Sequence, residues 1–445
     1  MNGSTTEIPG LVRGVGATEI GARIEAAIQD GLLQPGARLP TVRRLAADLA
    51  ISPTTVSSAY RTLRTRGAIV SEGRAGTRVA PAAWNRSPLV PEVPGGLIDL
   101  ADGNPDPELL PDLTPVLRQL DVGKVLYGRE PNLADLVDRF RAGFAADGIV
   151  SGSVAIVGGA RDGIERVLAC HLRPGDRVAV EDPAFVGILE LMAAMRFRVV
   201  PVAVDDDGPQ PEALDRALGA GARAVIVTPR AQNPTGAALT RERAAELRAV
   251  LDTRPEVVLV EDDHAGPVAD AAAHTLSGGN RRRWATVRSL SKYLSPDLRL
   301  APMTGDADTI SSVEDRQLVG PGWVTTIVQH LVRHLLDDPA IDDRVLEAKR
   351  TYTVRRTALL EALAERGIAA SGKSGTNVWV PVKEETGVVT SLARAGWAVA
   401  PGEPCRIAAP PGIRITTAIL GIDLTPRLAD DIAEALTHRR RIVTV

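Results

Sequence analysis

The chain has 445 residues, and at about 100 to 200 residues per domain this length predicts two or three domains. Hydrophobic residues make up 44% and charged residues 24%, the proportions of a globular protein, and no apolar run approaches the roughly 20 residues that cross a bilayer, which excludes a membrane-spanning chain. The net charge of −3 combines +4 over residues 1–80, which hold ten arginines and six acids, with −7 over the rest, so only the front of the chain is basic.

The N-terminal residues have neither the basic nor the apolar region of a signal peptide, which predicts a cytoplasmic protein. The two cysteines, Cys170 and Cys405, are far apart and lack the spacing of metal ligands. The sequence therefore predicts neither a disulfide nor a metal site.

Three short helices are predicted at the front of the chain. Apolar residues at three- and four-residue spacing predict the first helix over 19–33. Thr41 precedes a second helix over 42–49, and Ser52 precedes a third over 53–66, both as N-cap residues. The inward stripe of the third helix consists of Val56, Ala59, Tyr60 and Leu63. The spacing of the last two helices is that of a helix-turn-helix.

Two short β-prone runs, at 68–70 and 77–79, are joined by a glycine-containing turn and predict a hairpin. Together with the helices, this sequence resembles the GntR family of winged-helix regulators over residues 13–80. The resemblance is carried by three motifs, at 31–36, 39–46 and 52–63.

The resemblance implies that this domain binds double-stranded DNA, with the third helix in the major groove and the hairpin as the wing. The residues that it places at the DNA are Arg43, Ser52, Thr54, Thr55, Arg74 and Gly76. Taken alone, the pair Arg43 and Arg44 favours a solvated helix face, and its place in the motif favours DNA contacts instead.

Residues 81–97 contain four prolines and a Gly-Gly pair without any helical or strand period, which predicts a linker. Beyond it, over 98–445, short β-branched runs alternate with helix-length segments. The predicted strands are 153–157, 177–180, 197–204, 224–228 and 257–260. This alternation predicts an α/β domain with a mainly parallel sheet flanked by helices.

Lys292 is one of only five lysines, and it follows a β-prone run in the sequence Ser-Leu-Ser-Lys. The segment 289–300 resembles the lysine motif of fold-type I aminotransferases, with Asp297 at the usual glycine position. The resemblance implies a pyridoxal 5'-phosphate (PLP) transferase fold of type I with a smaller C-terminal α+β subdomain. It also implies a Schiff base between PLP and Lys292, with Ser289 and Arg299 as further cofactor-binding residues.

Carboxylates follow the predicted strand 257–260 at its C-terminal end, where open α/β sheets bind ligands. By the resemblance, Asp262 contacts the ring nitrogen of PLP, and His264 replaces the tyrosine that contacts the ring hydroxyl. An imidazole can still donate a hydrogen bond there. From the residues alone, the carboxylates are also compatible with helix N-caps.

Further segments of the same resemblance name the remaining site residues. Asn233, in Asn-Pro-Thr-Gly, would bond the ring hydroxyl, and Phe185 would stack on the ring. The Gly-Gly turn before a helix would bind the phosphate through Gly159, Ala160 and Arg161. Tyr127 would reach the phosphate of a neighbouring subunit, and Arg414 would bind a ligand carboxylate. Alternatively, Asn233 is a buried turn residue, Phe185 a core residue, and Arg414 an exposed strand residue.

A GntR-type winged helix followed by an aminotransferase-like domain is the architecture of MocR-type transcriptional regulators, to which the chain is similar from end to end. The resemblance implies a homodimer, head-to-tail with exchanged DNA-binding domains, that binds an operator. A small amine or amino acid would form an external aldimine in place of Lys292 and thereby alter DNA binding.

Two other functions stay open from the sequence. All catalytic groups have a counterpart, so an active PLP-dependent aminotransferase with an accessory DNA-binding domain is compatible with the residues. The replacement at His264 keeps open a DNA-binding regulator that no longer binds PLP.

Overall fold

The structure, a computed structural model, describes residues 16–29, 32–34, 36–65, 68–71, 76–79, 95–128, 130–149, 153–277 and 281–437. These residues form two compact units, one mainly at the front of the chain and one over most of the remainder. Arg74 at the predicted wing tip and all but the last three residues of the predicted linker 81–97 lie outside the described residues. The domain boundaries at 80 and 97 therefore stay predictions.

The first unit is a winged helix. Its helices are α1 (Ala17–Gln29), α2 (Val42–Asp48) and α3 (Pro53–Thr65), and its strands are β1 (Arg38–Leu39), β2 (Ile69–Ser71) and β3 (Thr77–Val79). The three strands form an antiparallel sheet in the order β1-β3-β2.

Local hydrogen bonds begin the helices of this unit where the sequence predicts. The Thr41 hydroxyl accepts from the backbone N–H of Arg44 at 3.3 Å, and the Ser52 hydroxyl accepts from that of Thr54 at 3.2 Å. The predicted stripe of α3 is buried, and the Tyr60 hydroxyl donates to the carbonyl of Pro40 at 2.9 Å. These bonds fix the entry of α3, the helix that the resemblance places in DNA.

The predicted end of the first helix at residue 33 is wrong. Residues 32 and 33 are not helical, Leu32 is 53% exposed, and Leu33 is the leucine buried in the core at 1% exposure. Gly31 and Pro35 both disfavour continuation of a helix, which is the local reason for the earlier end.

The second unit contains an eight-stranded sheet. Its strands are β5 (Ser153–Val157), β6 (Arg177–Asp182), β7 (Arg198–Asp205), β8 (Gly208–Pro209), β9 (Ala222–Val227), β10 (Val258–Asp263), β11 (Trp284–Arg288) and β12 (Ala301–Gly305). Their order across the sheet is β5-β12-β11-β10-β9-β6-β7-β8. Strands β6, β9, β10 and β11 run parallel to one another. Strand β12 is antiparallel to both of its neighbours, so β5 has the same direction as β11. The mainly parallel α/β sheet is thus confirmed.

Helices alternate with most of these strands along the chain. They are α4 (Thr114–Gln119), α5 (Ala134–Ala146), α6 (Ala160–His171), α7 (Val186–Ala194), α8 (Pro211–Gly219), α9 (Arg241–Asp252), α10 (Ala307–Val319), α11 (Thr326–Asp337) and α12 (Pro339–Glu365). Burial of apolar side chains between helix and sheet, such as Leu247 of α9 and Leu259 of β10, stabilises this layer by about 1.5–3 kcal/mol for each large side chain.

A smaller sheet follows near the C-terminus. Its strands are β4 (Ile98–Leu100), β13 (Asn377–Pro381), β14 (Trp397–Pro401) and β15 (Gly412–Thr416), in the order β13-β15-β14-β4. The helices of this part are α13 (Glu385–Arg394) and α14 (Thr425–Thr437). The predicted α+β subdomain is present, with the addition that β4, from the start of the unit, pairs with β14 in parallel.

Within the described ranges, no helix is long and apolar enough to cross a membrane.

Candidate cofactor and DNA-binding sites

Most of the predicted cofactor residues lie at one edge of the large sheet. The carboxyl ends of its parallel strands meet at this edge, and ligands of open α/β sheets bind there. The segments that leave these ends are Gly158–Gly159 after β5, Pro183–Phe185 after β6, Arg230–Asn233 after β9, His264 after β10 and Ser289–Lys292 after β11.

Lys292 lies in the tight turn after β11, where its ammonium donates to the carbonyl oxygen of Gly103. Burial disfavours the charged form, and the nearby Arg414 adds repulsion, so the pKa of Lys292 falls to about 8 despite the opposing charge of Asp102. A lower pKa gives a larger fraction of neutral amine near neutral pH. Lys292 is therefore a better nucleophile toward an aldehyde than an ordinary surface lysine.

Asp262 has the environment expected of a carboxylate that binds a cationic ligand. It is 6% exposed, and its Oδ1 has no hydrogen-bond partner among the described residues. Burial, reinforced by the charge of Asp263, raises the pKa of Asp262 to about 7, while Arg161 acts in the opposite direction. A protonated pyridine nitrogen would satisfy this carboxylate, so the residue fits PLP.

Next to Asp262 in the chain, Asp263 belongs to a group of four charged residues that the sequence did not reveal. Asp263 accepts from Nε and Nη2 of Arg230 at 2.8 Å each and from Nε of Arg288 at 2.7 Å. Asp147, which follows α5, accepts from Nη2 of Arg230 at 3.2 Å and from Nη2 of Arg288 at 2.5 Å. We call Arg230, Asp263, Arg288 and Asp147 the strand-end cluster. The two arginines hold the pKa of Asp263 far below its ordinary value, although burial alone would raise it.

His264 uses its Nε2 atom in a 2.7 Å hydrogen bond to the carbonyl oxygen of Ala231. A carbonyl oxygen only accepts, so Nε2 carries the proton. Burial, with repulsion from Lys292, lowers the pKa of His264 to about 4, and the imidazole is therefore neutral near pH 7. The remaining Nδ1 is then an acceptor. In this arrangement His264 cannot supply the donor that a tyrosine hydroxyl would offer.

Arg414 and Asn233, which are distant in sequence, meet beside Lys292. Arg414 donates from Nη1 to Oδ1 of Asn233 at 3.1 Å and from Nη2 to the carbonyl oxygen of Ala101. Arg414 is 7% exposed, so the alternative of an exposed strand residue is wrong. Among the residues that the structure describes, no carboxylate lies within ion-pair distance of Arg414, and its Nε has no partner. Asp102 and Asp99 act on this guanidinium only from beyond ion-pair distance, so it can still bind a ligand carboxylate directly.

The turn between β5 and α6 has the backbone geometry expected of the predicted phosphate site. The backbone at Gly159 has a φ of +106°, and a Cβ there would lie 2.7 Å from Nη2 of Arg299, so the position requires glycine. Nη2 of Arg299 donates to the carbonyl oxygen of Gly158 at 3.1 Å. Helix α6 begins at Ala160, and Arg161 lies in its first turn, where backbone N–H groups lack helical partners. The guanidinium of Arg299 and this helix terminus together suit a phosphate.

Two further predicted residues lie at the same edge of the sheet. Ser289 is 8% exposed, and its hydroxyl accepts from the N–H of Ser291 at 3.2 Å. Phe185 is partly buried and precedes α7, close against Gly187. Their contacts to PLP stay predictions.

Tyr127 differs from the other site residues because it is 92% exposed. Its ring meets that of Trp323 edge to face, with 5.7 Å between centroids and 73° between planes. The prediction that Tyr127 serves a neighbouring subunit stays a prediction.

In the winged helix, Arg43 and Arg44 differ although they are adjacent. Nε of Arg44 pairs with both carboxylate oxygens of Asp48 at 3.3 Å, whereas Arg43 is exposed and has no partner in the described part of the chain. Thr54 is exposed and Thr55 partly exposed at the start of α3, and the Thr54 hydroxyl bonds to that of Ser52. Gly76, at a φ of +95°, immediately precedes β3. Their DNA contacts stay predictions.

Comparison with known proteins agrees with this division of the chain. Residues 133–432 match the family model of aminotransferase class I and II, which is more than half of the chain. Residues 17–79 match the model described as bacterial regulatory proteins, gntR family.

The vitamin B6 salvage pathway transcriptional repressor PtsJ of Salmonella typhimurium is 39% identical over 436 residues, covering 96% of this chain and 100% of the relative. The HTH-type transcriptional regulator TauR of Rhodobacter capsulatus is 28% identical, over 78% of this chain and 79% of TauR.

Among solved structures, the kynurenine aminotransferase of Pyrococcus horikoshii has a TM-score of 0.70 at 22% identity, over 77% of this chain and 91% of that chain. This likeness establishes the fold of the second unit. The chain belongs to the MocR-type transcriptional regulators of the GntR family, in which a DNA-binding GntR domain precedes a PLP-binding domain of the aminotransferase class I and II fold.

Proposed function

We propose that the chain regulates transcription by binding an operator in a manner that depends on an amine or amino acid exchanging with Lys292 at PLP. The cofactor supplies an aldehyde that condenses with amines. The observation that carries the proposal is Arg414, a buried guanidinium near Lys292 that has no carboxylate partner in the described residues. A ligand carboxylate would give this guanidinium a partner of opposite charge.

In this proposal the described residues hold PLP at three places. Asp262 pairs with the ring nitrogen. Oδ1 of Asn233 already accepts a hydrogen bond from Arg414, so the NH2 group of Asn233 is the part that faces the ring hydroxyl. Arg299 and the first turn of α6 hold the phosphate. The remaining cofactor contacts are assigned to Phe185, Ser289, Gly159, Ala160 and Arg161. His264 would contact the ring hydroxyl as an acceptor through Nδ1, not as the donor expected from the sequence.

A second candidate signal is PLP itself. It is favoured by the end-to-end similarity to PtsJ, whose name is that of a vitamin B6 salvage repressor. In that case, the presence or absence of PLP at Lys292, rather than exchange with an amine, would change the affinity for DNA.

One titration separates these candidates. Operator duplexes are selected from a random pool, and the dissociation constant is measured for PLP-free protein, PLP-loaded protein, and loaded protein with a panel of amino acids and amines. A change on loading alone supports PLP as the signal, and a change only with one amino acid or amine supports exchange. Rapid multiple turnovers with an amino donor and a 2-oxo acid, without any operator selected, would contradict both and support an aminotransferase.

We also propose that the protein acts as a homodimer, in the head-to-tail arrangement of its family. Leu126 is 71% exposed and Tyr127 92% exposed, and the apolar residues Leu318 and Val319 at the end of α10 are exposed at 54% and 91%. Burial of these apolar side chains against a second copy of the chain would be favourable. Sedimentation equilibrium of the PLP-loaded protein would give a monomer mass if the proposal were wrong.

Replacement of Arg414 by glutamine is expected to separate amino acids from amines. A charge-assisted hydrogen bond contributes about 1.5–3 kcal/mol, so affinity for an effective amino acid should fall about 10- to 150-fold. The corresponding decarboxylated amine, which lacks the group that Arg414 would bind, serves as the matched ligand and should keep its affinity. The visible spectrum of bound PLP reports both titrations, and an equal loss for both ligands would contradict the assigned role.

Replacement of Arg43 by alanine is expected to weaken operator binding and to reduce the salt dependence by about one counter-ion, because one phosphate or base contact is lost. Arg23→Ala is the control, since Arg23 pairs with Glu19 at 3.3 Å on an exposed face of α1. Fluorescence anisotropy at several salt concentrations gives both quantities. Unchanged affinity for Arg43→Ala would remove this residue from the DNA interface.

A further inference from the structure

The strand-end cluster adjoins three of the segments that carry predicted cofactor residues. Arg230 lies in the same turn as Asn233, after β9. Asp263 lies between Asp262 and His264 at the end of β10, and Arg288 immediately precedes Ser289 at the end of β11. The hydrogen bonds among Arg230, Asp263 and Arg288 therefore join three adjacent strand ends at the point where the chain turns into the site.

The cluster is buried, and its formal charges cancel. Asp263 is 1%, Arg230 5% and Arg288 9% exposed, while Asp147 completes the group from the end of α5. Two guanidinium groups and two carboxylates sum to zero. When one charged member of such a buried group is removed, its partners stay uncompensated, and the excess charge acts through a medium that screens poorly.

We infer that the strand-end cluster is a positioning element of the cofactor site, which fixes the segments of Asn233, Asp262 and Lys292 and keeps the charge behind them balanced. This inference rests on the proposed attachment of PLP at Lys292. Other charged groups near the site are Arg414 and Asp102 near Lys292, Arg161 and Glu181 near Asp262, and Arg299 at the turn after β5. All of them stay unchanged in the test.

The test uses variants that give the cluster opposite net charges. Asp263→Asn and Asp147→Asn each leave one excess positive charge, and Arg288→Gln leaves one excess negative charge. The readout is the pH midpoint of the visible absorption of PLP bound to the full-length protein. An excess positive charge in the cluster disfavours the protonated form of bound PLP, so the pH midpoint should fall by about 0.5 pH unit in the aspartate variants. An excess negative charge favours that form, so the midpoint should rise by about as much in Arg288→Gln.

The double variant Asp263→Asn/Arg288→Gln restores zero net charge, and its midpoint should return to within about 0.2 pH unit of the wild type. Asp205→Asn is the matched control. It removes a carboxylate that accepts from Arg243 at 2.8 and 3.0 Å at the end of β7, and it should not move the midpoint. Asp147, whose side chain is 30% exposed, is the least buried member and keeps the test valid if Asp263→Asn fails to fold.

Shifts of opposite sign support the inference, because loosened packing would affect all cluster variants in the same direction. Shifts of one common sign, or no shift in Asp147→Asn and Arg288→Gln, would overturn it. If the wild-type protein itself formed no borohydride-reducible bond with PLP, the proposed attachment at Lys292 would fail first, and that result is distinct from either outcome in the variants.

Discussion

Lys292→Ala is expected to abolish the borohydride-reducible bond between the protein and PLP while the protein stays folded. The aldehyde of PLP requires an amine partner, and Lys292 is the lysine that follows β11 at the ligand-binding edge of the sheet. Its removal also deletes one hydrogen bond, to the carbonyl of Gly103, which is a small loss of about 0.5–1.5 kcal/mol. The measurement is reduction with borohydride followed by mass spectrometry of the intact chain.

The control for this experiment is Lys383→Ala, which removes an exposed lysine and should leave the adduct in place. The pH dependence offers an independent check on the wild type. Because the pKa of Lys292 is lowered to about 8, the rate at which the protein captures PLP should rise with pH and level off above pH 8, rather than above 10. An adduct of unchanged yield in Lys292→Ala would place the anchor elsewhere.

Asp262→Asn is expected to weaken PLP binding by about two to four orders of magnitude. The change keeps the shape of the side chain but removes the charge that would pair with the ring nitrogen, and breaking a buried ion pair costs about 3–5 kcal/mol. Fluorescence titration of PLP-free protein gives the dissociation constant. Asp430→Asn, in an exposed pair with Arg366, is the control and should bind PLP as the wild type does.

The same variant should stabilise the PLP-free protein. Folding raises the pKa of Asp262 from an ordinary value near 4 to about 7, so the ionised carboxylate costs folding free energy at pH values above its unfolded pKa, and fully above pH 7. Asparagine does not ionise and removes this cost. The Tm of PLP-free Asp262→Asn at pH 8 should therefore exceed that of the wild type. A lower Tm together with unchanged PLP affinity would show that Asp262 has only a structural role.

Local features of the winged helix were predictable because they depend on neighbours in sequence. The caps at Thr41 and Ser52 each bond to a backbone N–H within three residues, and the stripe of α3 follows from helical periodicity. The end of α1 was less predictable, since the periodic apolar pattern continues past Gln29 although the helix does not.

The end of β10 shows where the pattern of the sequence was insufficient. By residue type alone these carboxylates were also compatible with helix N-caps, but that alternative is wrong, because Glu261, Asp262 and Asp263 are buried within the strand. Glu261 accepts from the hydroxyls of Thr275 and Thr286, and Asp263 accepts from two arginines. Buried carboxylates require such partners, and these partners come from other parts of the chain.

The sequence by itself determined the order of the two domains, the short helices with their caps, and the segments that carry Lys292, Asp262, Asn233 and Arg299, because motifs and periodicity are encoded between near neighbours. Only the tertiary structure decided that Arg414 is buried against Asn233, that His264 presents an acceptor, and that Arg230 and Arg288 enclose Asp263. These contacts join residues from 25 to 181 positions apart. Their partners and protonation states depend on burial and on charges that only the folded chain brings together.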